Sequence, residues 1–421
     1  MASRSDPTAT PDAPAATESA ASTLAGADFV RLVARADGDA LAAAGLLARA
    51  LRDVDVPFQV RVDALGADAP ATDEGILLAV GADRTDADLS LAPTGADAAV
   101  SSQAFEVAAA LAGEDAPDPV LALAGVVAAG AHPGSVAGSL VERAEASGAV
   151  ERRPGVAVPT DDLVDGLAHS TLFHAPVSGD VTAVADLLGS HTDATEDDDE
   201  RRGTVASLVA LAVAGDDAGT ARGAEAIERA LRPYVTPDGP LATVGGFADV
   251  LNAVARERPG TGVALALGHG GRDAALDAWR DHAAAVHGAV REAHTGRYDG
   301  VFAVRAEVGA DGPDATGSDA DLRTAGRLAT LARLARDFRS PEPLVLALGD
   351  GVAALSAVES GASDAASTLA AEFGPGPTPA RTGTATDAVV RLDPDAADAD
   401  VIAAVRETTR TDADRTSEGS Q

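Results

Sequence analysis

The apolar positions of DFVRLVA crowd together as they do in a buried strand, and after the turn RADGD those of ALAAAGLLARALRD recur at the spacing of an amphipathic helix. The order strand, tight turn, helix predicts a β-α unit. Three more short β-rich runs follow, FQVRV at 58–62, ILLAVG at 76–81 and DLSLAP at 88–93, and then helical patterns in SQAFEVAAALAG and PVLALAGVVAAG. Such alternation predicts a mostly parallel sheet covered on both faces. Ligands of such sheets sit at the carboxyl ends of the strands, and the turn from Arg35 to Asp39 lies at one of these ends.

Further along, DATEDDDERRG at 193–203 is too charged to join a core and reads as a solvated loop, entering a helical connector made of VASLVALAVAG and AEAIERALRPYV. From about residue 240 a second α/β region is expected, with strands GVALALG at 262–268, VFAVRAEV at 301–308 and LVLALG at 344–349, interrupted by GADGPDATGSD as a surface loop. The resulting division is a disordered tail over 1–24, an α/β domain over 25–190, the acidic loop and connector over 191–239, a smaller α/β domain over 240–408 and a second tail over 409–421. The first 22 residues lack the apolar core of a secretory signal or anchor, and the apolar runs stop short of the roughly 20 residues that span a bilayer. A cytoplasmic protein without a membrane partner is the expectation.

Composition adds a constraint from the environment. The 421 residues include 66 Asp plus Glu against 32 basic residues, all of them Arg, for a net charge of −34. This is the balance of a protein soluble in concentrated salt, where the Debye length is only about 3 Å and dense carboxylates repel little. The charge therefore says nothing about substrate, and nucleic-acid binding is neither supported nor excluded by it. The absence of Cys removes disulfides, thiol catalysis and thiolate metal sites.

Asp37 and Asp39 stand two apart where the first strand ends and could hold a hard divalent cation, Mg or Mn. A helix start favours the same residues as caps. In DDLVDGLAHSTLFH, a helix would put Asp162, Asp165 and His169 on one face, with His174 and Asp180 within reach by sequence, so a replacement metal site and an ordinary set of caps both fit. Gly245 and Gly246 would let backbone amides approach a phosphate, or make a tight turn before a helix. Arg256 and Arg258 suit the end of that helix. His282 and His287, in a helix beside Trp279, read as packing or surface residues.

In its β-α setting, RADGDALAAAGLL resembles the first motif of the DHH phosphoesterase superfamily, and VPTDDLVDGLAHSTLFHAPVSGD at 158–180 and VGGFADVLNAVARERPGTGVALALG at 244–268 resemble segments of archaeal RecJ-like proteins. The resemblance covers roughly residues 25–410. It implies a two-lobed α/β fold, a mostly parallel DHH lobe joined to a smaller DHHA1-like lobe across a cleft. Active members bind two metals that position a water and stabilise the charge on a phosphodiester.

Several of the implied ligands are missing here. No His-His pair occurs, and Ala92, Pro93, Thr94 and Gly95 stand where the Asp-His-His run is expected. Val33 and Arg35 replace further ligands of the first motif, and Gly81 takes the place of another Asp, with Asp83 nearby. The resemblance thus implies a degenerate member without a metal cofactor, a subunit in DNA replication or repair associated with GINS and the MCM helicase. The enzyme alternative is a Mn- or Mg-dependent exonuclease or phosphoesterase acting on single-stranded nucleic acid, with Asp37, Asp39 and Asp83 as ligands and Asp165, His169 or His174 as replacements. Arg is sparse relative to Asp along every segment, so a basic groove is not expected. Val205, Leu208, Val209 and Leu211 are either a partner surface or core.

Overall fold

Helix α1 (Ala13–Ala25) buries Ala20, Ala21 and Leu24 in the N-terminal core, so the expected tail over 1–24 is helical from residue 13. Small side chains and one Leu suffice to seat an Ala-rich helix, which the polar composition of this stretch concealed. The computed structural model of the chain describes residues 13–63, 65, 75–93, 95, 98–191, 199–309, 318–376 and 381–418.

A four-stranded parallel sheet follows, from β1 (Val30–Arg35), β2 (Phe58–Asp63), β3 (Ile76–Val80) and β4 (Leu89–Leu91) in the order β2-β1-β3-β4, with Val30 in register with both Phe58 and Ile76. Between β1 and β2 runs α2 (Gly38–Asp53), buried along nearly its whole length. Its run of Ala residues lets neighbouring helices come close: a Cβ on Gly45 would lie 2.7 Å from that of Ala266. α3 (Val100–Ala112), α4 (Pro119–Ala128), α5 (Pro133–Val136) and α6 (Gly138–Ala146) complete this lobe.

The connecting region carries β5 (Glu151–Arg152), α7 (Leu163–His169), α8 (Val181–Leu188), α9 (Asp199–Ala214), α10 (Ala221–Glu228) and β6 (Tyr234–Val235), the last pairing antiparallel with β5. Of the segment read as a charged loop over 193–203, residues 193–198 lie outside those described, and Asp199 onward is the first turn of α9. Acidic residues there are favoured by the helix dipole. Val205 and Val209 are core and Leu208 is half-buried, whereas Leu211 is 69% exposed.

Helices α11 (Val244–Glu257), α12 (Pro259–Ala266) and α13 (Arg272–Glu292) come next. The run GVALALG, read as a strand, is helical through Ala266. A seven-residue apolar run fits a buried helix as well as a strand, and Pro259 at the start of α12 is favoured at that position rather than being a breaker. α11 and α12 pack into the same core as α2, which extends to Trp279, so residue 240 does not mark a core boundary.

The C-terminal lobe is a six-stranded mixed sheet of order β11-β12-β10-β9-β8-β7, built from β7 (His294–Tyr298), β8 (Val301–Arg305), β9 (Leu344–Gly349), β10 (Val352–Ala357), β11 (Arg381–Gly383) and β12 (Asp387–Arg391). Only β8 and β9 are parallel neighbours, joined through α14 (Ser318–Phe338); the expected loop over 310–317 lies outside the described residues. α15 (Ala362–Phe373) and α16 (Asp398–Glu418) cover the other face, and α16 shows that the expected tail from 409 is helical through 418. The two-lobed α/β architecture expected from the sequence is the one observed.

Candidate functional site

Below the carboxyl ends of β1, β2 and β3 the two lobes enclose a cleft of about 970 Å³. The first lobe contributes Arg35, Asp37, Asp39, Asp63 and the turn from Gly81 to Asp86; the connector contributes Arg222 and Arg229, α14 contributes Arg333 and Arg336, and β11 and β12 contribute Arg381 and Asp387.

The two carboxylates of the first motif are both engaged. Asp37 caps α2: its Oδ1 accepts the N–H of Ala40 at 2.9 Å, and its Oδ2 accepts Nε of Arg35. Asp39, 1% exposed, reaches across from the first turn of α2 to α3, whose own N-cap, Ala99, offers no side-chain oxygen. The Asp39 oxygens accept the N–H groups of Val100 and Ser101, each at 2.8 Å. Burial, and then the charge of Asp37, push the Asp39 carboxyl up to about 6, against the pull of those N–H groups.

Arg35 is bonded to the first of them. Besides Asp37, its Nη1 donates to the carbonyl of Gly81. Gly81 is at φ +89, and a Cβ there would sit 2.7 Å from Cβ of Ala40, 3.2 Å from Cβ of Arg35 and 3.7 Å from its Cζ. Glycine at 81 and arginine at 35 are therefore one arrangement: a longer side chain at 81 would meet the guanidinium. Burial opposes the charge on Arg35, but Asp37 and Asp39 hold its pKa above the ordinary arginine value.

Asp63 and Arg84 form a second pair at the strand ends, at 3.2 Å, and Asp86 grips the same guanidinium at 2.8 Å. Asp83 is exposed on the cleft wall. Asp37, Asp39 and Asp83 are not gathered into a metal-holding group; among the described residues no three His, Asp or Glu are so grouped. Arg35 holds a fixed positive charge beside Asp37, and each of the two motif carboxylates already has both oxygens bonded. The residues present do not fit a pair of divalent cations.

The replacement ligands separate as well. Asp165 and His169 do meet on α7, at 3.1 Å, but Arg280 clamps the same carboxylate through two bonds of 2.9 Å. Burial acts to raise the Asp165 carboxyl, yet hydrogen bonds from His169 and Arg280 hold it well below the carboxylate range. Asp162 and Asp180 are the N-caps of α7 and α8. His174 lies elsewhere, stacked on His287 with Nδ1 to Nδ1 at 3.1 Å.

Gly245 and Gly246 do not open on the cleft, a correction to the phosphate reading. They press α11 against the 156–159 segment: a Cβ on Gly246 would lie 2.2 Å from the carbonyl carbon of Val158 and 2.3 Å from the nitrogen of Pro159, and one on Gly245 would lie 2.7 Å from Cβ of Ala157. The N–H of Gly246 is already donated to Thr243 Oγ1 at 2.9 Å. Nearby, Asn252 ties α2 to α11 and α4, accepting from the N–H of Gly38 at 2.8 Å and donating to the carbonyl of Ala128 at 3.2 Å.

The cleft is not a basic groove, since eight arginines and eight carboxylates line it together. Its arginines, among them Arg35, Arg84, Arg256 and Arg333, face carboxylates that include Asp37, Asp63, Asp337 and Asp387. Their sequence separations, from 35 to 381, left no local pattern to find.

Residues 293–407 match the family model for the C-terminal domain of the uncharacterized protein rrnAC1427. The uncharacterized protein rrnAC1427 of Haloarcula marismortui is 45% identical over 345 residues, spanning 80% of this chain and 83% of that one. Among solved structures, CDC45 from Entamoeba histolytica superposes with a TM-score of 0.51 at 8% identity, over 93% of this chain and 97% of that one, and shares its fold. RecJ in complex with Mn2+ from Thermus thermophilus gives a TM-score of 0.48 at 12% identity, and the chain spans 55% of its length while 94% of this chain is covered. No helix among the described residues is long and apolar enough to cross a membrane.

Proposed function

The chain belongs to the family of the uncharacterized protein rrnAC1427 of Haloarcula marismortui, and from its two-lobed fold and its cleft we propose that it is a RecJ-like, DHH-type protein of DNA replication or repair that works as a subunit of an assembly rather than as a nuclease. Candidate partners are GINS and the MCM helicase. One observation carries the loss of catalysis: the guanidinium of Arg35 bridges Asp37 and the carbonyl of Gly81, so an immobile cation stands where hydrolysis by two metals needs exchangeable ones. An arginine cannot take up a water and lower its pKa as a divalent metal does.

The test is incubation of the purified protein with labelled single-stranded DNA and RNA in molar KCl with Mn or Mg. No degradation above background is expected. Degradation that disappears in Asp37→Ala would overturn the reading and establish a metal-dependent exonuclease. Affinity isolation of the tagged protein from its own cells in molar salt tests the partners, with a replication or repair component expected among the recovered proteins.

A further inference from the structure

We propose that the exposed side of helix α9, together with the groove at its N-terminal end, is a docking surface for a partner protein, and that the segment it holds is acidic and amphipathic.

The groove measures about 840 Å³, lies between the start of α9, the chain after β5 and the turn after β6, and shares no lining residue with the cleft between the lobes. Its lining inverts the charge of the molecule. Arg153, Arg201, Arg202 and Arg272 stand against Glu151 and Asp161, in a chain that carries 66 acidic residues for 32 arginines. Arg272 is exposed, gives Nε to the carbonyl of Pro240 at 2.8 Å and forms no ion pair with any described residue. Half-buried Leu163 and Val235 add apolar surface among these charges.

α9 continues the surface out of the groove. Arg201, Thr204, Leu208 and Leu211 recur at i, i+3, i+7 and i+10, one stripe of a helix, whereas Val205, Val209 and Val213 belong to the core. Leu211, 69% exposed, is the most exposed large apolar side chain among the described residues. A partner lying along this stripe meets arginines at one end and leucines at the other.

The far wall of the groove is set in advance. Thr236 donates Oγ1 to the carbonyl of Leu241 and its N–H to the carbonyl of Ala242 at 3.1 Å, with Pro237 and Pro240 fixing the turn between. Thr243 Oγ1 donates to the carbonyl of Val158 at 2.8 Å. A wall held this way lowers the ordering cost of association.

Concentrated salt decides what kind of partner fits. With a Debye length of about 3 Å, long-range attraction is screened, so recognition falls to direct guanidinium–carboxylate bonds and to buried apolar area. This face supplies the means for both. A basic segment would oppose the arginines, and a wholly apolar one would bury them without counter-charge.

The docking face rests on the subunit reading above, but the two fail separately. Nuclease activity would overturn catalytic silence and leave this face standing, and peptides that do not bind would leave the cleft as described. The test uses the full chain in molar KCl and two fluorescein-labelled helical peptides of about five turns, followed by anisotropy. Both carry Leu along one face; one has Glu at every other position and the other has Lys. The Glu peptide should bind at least about tenfold more tightly than the Lys peptide, a preference opposite to the one that a net charge of −34 would give. Leu211→Glu and Arg272→Glu should each weaken the Glu peptide about tenfold or more. Arg272→Glu should also bind the Lys peptide more tightly than the wild type does, a gain that misfolding cannot imitate. Val136→Glu, the same kind of change at an exposed valine of α5, should bind as the wild type does. Absence of binding by the Glu peptide, equal binding of the two peptides, or Leu211→Glu and Arg272→Glu proteins that bind like the wild type would overturn the assignment. So would a dimer in sedimentation that Leu211→Glu abolishes, since the face would then belong to a second copy of the chain.

Discussion

Arg35 and Asp37, two residues apart in one turn, are joined by a hydrogen-bonded ion pair whose side chains are only 12% and 16% exposed. The pair is possible because Asp37 sits in extended backbone as the N-cap of α2, turning its carboxylate back toward the strand end.

Removing Arg35 is therefore expected to cost stability instead of restoring activity. Arg35→Ala strips the partner from Oδ2 of Asp37 and from the carbonyl of Gly81, and the loss should be about 2–3 kcal/mol for a half-buried pair. Urea denaturation in molar KCl measures it, and an unchanged midpoint would count against the structural role of the pair.

Gly246→Ala should destabilise by about 3 kcal/mol, since the added methyl group meets backbone atoms that cannot step aside. A phosphate-binding glycine would show a different signature, lost ligand affinity with stability intact. Thermal midpoints of the two proteins decide between them.

Stability should fall as pH drops below neutrality because of His174 and His287. His287 Nε2 donates to the carbonyl of Ser170 at 3.0 Å, so its Nδ1 accepts from Nδ1 of His174, and Nε2 of His174 is left buried without a partner. Burial and the facing imidazole lower His174 to about 2, and burial lowers His287 to about 4. Both protonate more readily in the unfolded chain, so the stability they carry is present above pH 6.5 and is lost as pH falls toward 4. That is about 2 kcal/mol for each imidazole by pH 5. Asp39 works oppositely: its raised carboxyl favours the folded state at low pH and costs stability as pH rises through 6. It offsets part of the loss, leaving a net fall of roughly 2–3 kcal/mol between pH 7 and 5. Guanidinium denaturation at the two pH values measures it, and equal stabilities would contradict the buried pair.

Lowering KCl from molar to about 0.1 M lengthens the Debye length to about 10 Å and exposes the chain to its own repulsion. The thermal midpoint should drop over that range. A midpoint indifferent to salt would remove the inference of a salt-adapted protein.

How far the sequence was readable follows from the range of the interactions involved. The β-α unit around Arg35 and the strands at 76–80 and 344–349 were legible because their apolar patterns and turns are local. Helix α12 was not, since GVALALG has no polar position to distinguish period 2 from 3.6, and α1 was hidden by its Ala-rich polar composition. In the cleft, Arg35 and Gly81 could be singled out from the motif. The dependence of one on the other could not, because it arises where β1 and β3 lie side by side. Arg222, Arg256 and Arg333 line one cleft only through the packing of α10, α11 and α14, so Arg256 read as a helix-end charge and the other two carried no pattern at all.

Manganese binding tests the central claim most directly. Mn2+ titrated into the protein in molar KCl and followed by electron paramagnetic resonance should remain free at micromolar concentrations, with wild type and Asp37→Ala indistinguishable, because Arg35 already occupies the carboxylate that a metal would need. Stoichiometric micromolar binding of one or two Mn2+ ions that Asp37→Ala abolishes would contradict the account.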